Sequence, residues 1–313
     1  MTTRMTERLR CPVCGSALHM DTEKSVCFGS PAHDFPLVDG IPILVNEAHS
    51  IFALSDFVQK RATYFSPNLA LKKKLARFIP SISRNLCSSK NYARLVDLVR
   101  ERDASPILLV IGGAVDGDGM EPLYASGLEV VCCDAALGPR TDFVCDGHDL
   151  PLADASVDAC VVQAVLEHVA DPQRCVSEIW RVLKPHALVY AETPFMQQVH
   201  GGVYDFTRFT FSGHRRLFKS FREVGAGIAG GPGMALAWAI RYFLLSLSAG
   251  TAYRMAITAL VSLTCFWLPW LDVFLARRPG ARDAASGFYF IGSKADQPIT
   301  DRSLLTYGFQ PES

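Results

Sequence analysis

The segment from Pro106 to Pro194 constrains the fold of this chain more than any other. Ile107 to Ile111 is a short apolar run that breaks into Gly112-Gly113-Ala-Val-Asp-Gly117-Asp-Gly119, and a second apolar run, Glu129 to Cys133, ends at Asp134. Short unbroken apolar runs are what strands covered on both faces require. A buried strand, a glycine turn and an acid at the tip of the next strand are the parts of a nucleotide-binding crevice. Glycines let backbone approach a ligand closely, because they lack a Cβ and accept positive φ. The acid can accept both hydroxyls of a ribose. Taken alone, the same turn also fits plain packing.

The residues beyond Asp134 narrow the choice. They run Asp142-Phe-Val-Cys-Asp146-Gly147-His148-Asp149-Leu150-Pro151-Leu152, then Ala155-Ser-Val-Asp158, Gln163-Ala164-Val165-Leu166-Glu167-His168-Val169 and Glu178-Ile-Trp-Arg181-Val-Leu183-Lys184-Pro185. This order resembles the class I S-adenosylmethionine (SAM) dependent methyltransferases over roughly residues 90 to 225 and the late segment near Phe288. The resemblance implies an α/β fold: a doubly wound, mostly parallel, seven-stranded sheet over 101–298. It places Asp134 on the ribose hydroxyls and Asp146 with Gly147 beside the adenine. Gly112, Gly113, Gly117, Gln163 and Ala164 complete the implied cofactor site. In this family the histidine of the Leu166-Glu167-His168 turn shapes the fold more often than it acts as a base. Two positions depart from the pattern. The glycine loop is longer than the family's, with no acid at Val110 or Ile111, and His186 replaces the usual glycine after Lys184-Pro185.

The N-terminal 1–46 reads as a separate module. Cys11-Pro-Val-Cys14-Gly15 is a tight CxxC knuckle, and Cys27 and His33 follow at C-x5-H spacing. Three thiolates and an imidazole make a tetrahedral structural zinc site, and a module this small buries too little apolar surface to fold unaided. A metal-free ribbon, or His19 in place of His33, stays open. The Phe35-Pro36-Leu-Val-Asp39-Gly40-Ile41-Pro42 stretch resembles the zinc-ribbon-like domains of the tRNA methyltransferase activator family.

The chain of 313 residues carries no net charge and is about half apolar (49 %). That balance predicts one large domain with additions and gives no strong nucleic-acid signal. Met1 to Arg10 lacks an apolar run, so the ten cysteines are expected as reduced thiols in a cytoplasmic protein.

Residues 47–100 read as a helical linker, with helical spacing over Ser50–Lys60 and Asn68–Phe78 and a helix from Asn91 to Glu101. Lys72, Lys73, Lys74 and Arg77 form a basic run that suits a solvated face or a membrane surface. Past the expected fifth strand, His200, Tyr204, Asp205 and Arg208 sit in a glycine-containing loop where the resembling fold binds its acceptor. They are the candidate catalytic residues, and an Asp205–Arg208 brace that merely holds the loop is the alternative. Residues 232–278 form an apolar insert whose two runs, 234–249 and 255–276, predict a helical hairpin on or dipping into the cytosolic leaflet, with Trp238, Trp267 and Trp270 at the interface. A soluble lid or dimer interface fits the same residues. Phe288 to Lys294 reads as the last strand, and 299–313 as a tail. The expected function is methyl transfer from SAM to a small-molecule or lipid-linked acceptor. The competing readings are a non-catalytic scaffold and an RNA or protein methyltransferase that recognises substrate through the ribbon. An NAD oxidoreductase is disfavoured, because the G-x-G-x-x-G spacing is missing.

Overall fold

The structure is a computed structural model that describes residues 2–21, 24–61 and 80–307. Its strands are Leu18–Met20 (β1), Lys24–Cys27 (β2), Asp34–Val38 (β3), Ile41–Leu44 (β4), Ile107–Ile111 (β5), Glu129–Asp134 (β6), Phe143–Cys145 (β7), Val157–Gln163 (β8), Leu183–Pro194 (β9), Phe221–Gly230 (β10) and Gly287–Lys294 (β11). They run β1-β2-β3-β4-β7-β6-β5-β8-β9-β11-β10 across one sheet of eleven strands, not seven. The four extra strands come from the N-terminal module. Its β4 pairs in parallel with β7, Ile43 opposite Val144 and Leu44 opposite Cys145. The reason is the edge: β7 is fully buried, and without β4 its backbone would lie unpaired. The module is therefore continuous with the main sheet.

The remaining seven strands follow the expected order. β5 is parallel to β6 on one side and to β8 on the other. β11 lies antiparallel between β9 and β10, which returns the chain to the sheet after the insert. Alternation along β5 sends side chains to both faces. Leu108 and Val110 pack with Tyr92, Leu95, Val96 and Val99 of the helix Ser88–Arg100. Leu109 and Ile111 pack with Cys175, Val176, Ile179 and Val182 of the helix Pro172–Val182. Strand order reverses at β5, and a ligand crevice opens at the carboxyl ends of strands at such a switch point. His186, in the position of the expected glycine, takes the left-handed φ of +62° that a glycine would supply there.

Two expected helices differ. Ser50–Lys60 yields only the short helix Leu54–Val58, and the first core helix starts at Ser88. The segment Asn68–Phe78, with its basic run, lies outside the described residues.

The insert is three helices, not a hairpin of two: Pro232–Leu245, Thr251–Cys265 and Leu268–Leu275. Pro269 starts the third, because it fits a first helical turn and not an interior one. The second and third helices meet at 45°, and among the described residues no single helix is long and apolar enough to cross a membrane. Ala237, Val261 and Leu268 form a small core together with Ile82. The Asp272 carboxylate, fully buried, accepts the amides of Gly233 (2.6 Å) and Met234 (2.9 Å) and so ties the third helix to the start of the first.

Candidate active site

Asp134 ends β6 at the mouth of the crevice and is 8 % exposed. Its Oδ2 accepts the Ala114 amide at 2.9 Å. Burial pushes this carboxyl up to about 6, against the pull of the Ala114, Ala136 and Ala135 amides. Gly112, with φ +78°, turns the chain beside it, and a Cβ there would run into Val165. Asp146 follows β7. His148 Nδ1 donates to its Oδ1, and Ser50 Oγ donates to its Oδ2 at 2.6 Å. Burial opposes the Asp146 charge, but these donors outweigh it and hold the carboxyl below the ordinary aspartate value.

One cavity joins these groups. Gly112, Asp134, Asp146, Gly147 and Ala164 line it, five of the eight residues expected to hold the cofactor. Gly113, Gly117 and Gln163 do not. Gly113 packs against Cys132, and Gly117 lies against the Gln163 amide. Gln163 Nε2 donates to the Asp118 carbonyl (3.1 Å) and to Glu192 Oε2 (2.9 Å). The longer glycine loop thus turns its far end away from the first cavity and toward a second one.

Sequence reasoning missed the lid. Ile51 and Phe52, just after the N-terminal module, line the first cavity opposite the strands. Phe52 stacks on Tyr204 with ring centroids 5.9 Å apart. Nothing in the composition of 47–53 marks it as a ligand wall. The nearest signal was its position, between a module paired to the sheet edge and the helix Leu54–Val58.

The second cavity adjoins the first, and Ala164 lines both. Glu167, Glu192, Thr193, Gln197, His200 and Met234 contribute to it. Glu192 is held by Tyr190, by Gln163 and by Asn85 Nδ2 at 2.7 Å. Of the four candidate catalytic residues, His200 reaches this cavity, while Tyr204 lies on the first. Asp205 and Arg208 line neither. The Asp205 side chain is 1 % exposed and is gripped by the Arg208 guanidinium. It also accepts the amides of His200 (2.8 Å) and Gly201 (3.2 Å), while Arg208 Nε donates to the Gln197 carbonyl at 2.9 Å. The pair is a brace that fixes the loop and with it His200, the structural alternative to a catalytic role. These hydrogen bonds, with Arg208, hold the Asp205 carboxyl well below the ordinary range despite its burial.

In the N-terminal module, Cys11, Cys14, Cys27 and His33 present their ligand atoms within 4.8 Å of one another. Cys14 and Cys27 Sγ are 3.9 Å apart, and His33 Nδ1 is 3.6 Å from Cys11 Sγ and 3.4 Å from Cys27 Sγ. Ligands at ~2.0–2.3 Å from a tetrahedral zinc stand about this far apart, so the set fits that ion. His19 is not part of it and packs on Phe28 instead.

Residues 113–191 match the family model for a methyltransferase domain. The matched segment contains Asp134, Asp146, Ala164 and Glu167 and ends on β9. Demethylmenaquinone methyltransferase of Paenarthrobacter aurescens is 34 % identical over 109 residues, 31 % of this chain and 42 % of that protein. The protein of the same name from Renibacterium salmoninarum is 35 % identical over 116 residues, 33 % of this chain and 48 % of its own length. The match therefore spans less than half of these relatives. Among solved structures, Haemonchus contortus phosphoethanolamine N-methyltransferase 2 in complex with S-adenosyl-L-methionine is 12 % identical with a TM-score of 0.47, covering 89 % of this chain and 71 % of that one.

Proposed function

We propose that this chain transfers the methyl group of SAM to an acceptor held in the second cavity, and that the acceptor is a lipid-linked molecule, such as a glycan precursor, presented at a membrane surface. The observation that carries methyl transfer is the junction at Ala164. Ala164 lines both a cavity that has a ribose-suited acid and a glycine turn and a second cavity lined by Glu167, Glu192 and His200. In-line displacement needs the acceptor atom close to the methyl carbon and opposite sulfur. SAM supplies an activated methyl on a sulfonium; the protein has to orient both partners and exclude water. Asp134 would take the ribose hydroxyls, Asp146 and Gly147 would border the adenine, and Phe52 and Tyr204 would close the cavity. The relatives' name adds weight to methyl transfer, while the acceptor is argued from this chain's own surface.

That surface is the insert. Phe243, Leu247, Leu263, Trp267, Trp270 and Phe274 are all exposed on its three helices and the turns between them. Arg254, Arg277 and Arg278 are exposed beside them. An apolar face with aromatic and basic residues at its rim suits the headgroup boundary of a bilayer. The same insert contributes Met234 to the wall of the second cavity. Trp238, expected at the interface, instead donates to Ser83 Oγ (3.0 Å) and meets His200 edge-on with centroids 6.1 Å apart. Docking of the outer face would therefore bring the second cavity close to the bilayer. The cysteine–histidine set of the N-terminal module would hold one structural zinc, with no ligand position left open for substrate.

The test uses labelled SAM with purified full-length chain and either a lipid extract or an aqueous extract of cells, together with vesicle flotation. Label in the lipid fraction and co-flotation with anionic vesicles are expected. Label confined to water-soluble products would reject the lipid-linked acceptor, and absence of SAM binding would reject methyl transfer itself.

A further inference from the structure

A second cluster of ligand-type side chains lies in the acceptor cavity, away from the cysteines. Glu167 is 0 % exposed, and among the described residues neither of its carboxylate oxygens accepts a hydrogen bond. Its Oε1 faces His168 Nε2 at 3.8 Å and His200 Nε2 at 3.7 Å, both too long for hydrogen bonds. Ligand atoms of the three residues all lie within 4.8 Å of one another.

Each imidazole is anchored at its other nitrogen. His168 Nδ1 lies 2.9 Å from the Tyr204 carbonyl, and His200 Nδ1 lies 3.2 Å from the Gln198 carbonyl. A ring N–H given to a backbone carbonyl, with the opposite nitrogen aimed at a shared point, is how metal-binding histidines are usually held. The rings stand nearly perpendicular, at 81°, with centroids 5.0 Å apart. The Asp205–Arg208 brace fixes the loop that carries His200, and the Glu167 carbonyl accepts the amides of Phe206 (2.8 Å) and Thr207 (3.2 Å), which fixes the third ligand against that loop.

A buried carboxylate with no donor is costly unless something positive completes it. Both imidazoles stand within ion-pair range of Glu167 without a hydrogen bond to it, which leaves the carboxylate lone pairs free for an ion held between the three side chains.

We propose that Glu167, His168 and His200 bind one divalent cation of the Mn²⁺, Fe²⁺, Co²⁺ or Zn²⁺ type. Two imidazoles and one carboxylate with open positions suit such ions, and three residues leave those positions to the cavity. Glu167 and His200 line the acceptor side. The open positions therefore take an oxygen of the acceptor, a hydroxyl or enol whose proton the cation makes easier to lose. The proton passes to water, the oxygen takes the methyl carbon, and the bonding pair of the broken C–S bond stays on sulfur. This last part rests on the methyl-transfer reading; the metal site does not.

The experiment measures metal alone on the full-length chain, without SAM. Free Mn²⁺ is followed by electron paramagnetic resonance, and bound zinc is counted in parallel. Wild type should bind one Mn²⁺, or a second Zn²⁺ beyond the one held by the cysteines. Glu167→Gln and His200→Ala should each weaken that binding by about tenfold or more. Melting curves check that each variant is folded, and His200→Ala, at a partly exposed position, serves if Glu167→Gln is not. A wild-type chain that takes up neither Mn²⁺ nor a second zinc overturns the proposal. So does binding that is unchanged in a folded variant. SAM calorimetry on the same sample keeps the two readings separate, since SAM binding without the metal would leave methyl transfer standing.

Discussion

The two additions to the seven-stranded core are attached in opposite ways. The N-terminal module is joined by backbone: β4 pairs with β7, Leu9 bridges to Leu152, and the adjoining residues Ser50 to Phe52 reach Asp146 and the first cavity. The insert is held by a small core and by one aspartate at a helix start, and much of its apolar surface faces outward. An addition that shares the sheet becomes part of the site's structure. One that is capped onto the domain keeps a surface to offer elsewhere.

Breaking the first attachment should have the largest effect. Cys27 is 2 % exposed and sits within 4 Å of Cys14 and His33. A metal held by these residues would add to the folding energy of the module and of the sheet edge it pairs with. Cys27→Ser should therefore lose one zinc per chain by metal analysis and several kcal/mol of stability. It should also weaken SAM binding, because Ser50 and Phe52 lose their anchor. Normal SAM affinity in a zinc-free chain would separate the module from the site.

Asp272→Ala tests the second attachment. It removes a helix-capping carboxylate, an effect of about 1–2 kcal/mol or a few degrees of melting temperature. The expected signature is local: faster amide exchange over 232–275, with SAM affinity retained. Global loss of the sheet's protection would show that the insert is as integral as the module.

Smaller still on stability is polar substitution of the outer face. Leu263→Ser with Phe274→Ser should move the melting point very little, since both side chains are exposed. Vesicle flotation should nevertheless be lost, and its persistence would move the docking surface elsewhere.

The parts visible in sequence were those fixed by local backbone chemistry. β5, its glycine turn and Asp134 announce themselves by apolar run, glycine and acid. The last strand at Phe288 and the four zinc-type ligands do so by pattern and spacing. The hidden parts depended on partners distant in sequence. The pairing of β4 with β7 joins residues about a hundred apart and has no local mark. The unsatisfied state of Glu167 is a matter of what surrounds it in space. Asp205 and Arg208 fitted either chemistry or a brace in sequence, and their burial against each other in space is what shows the pairing.

If the cavity at Asp134 holds SAM, calorimetry of SAM binding against pH shows it most directly. Burial raises the Asp134 carboxyl to about 6, and only its ionised form accepts two ribose hydroxyls. SAM affinity should therefore fall as pH drops through about 6, approaching tenfold per unit. Stability of the free protein moves the other way. The contribution of a buried acid with a raised folded value is fully present below the ordinary aspartate value of 3.8 and is lost as pH rises through about 6. In Asp134→Ala the affinity at neutral pH should be weaker by about tenfold or more, with the pH dependence gone. A variant that binds SAM as tightly as wild type, with the same pH profile, would contradict the account.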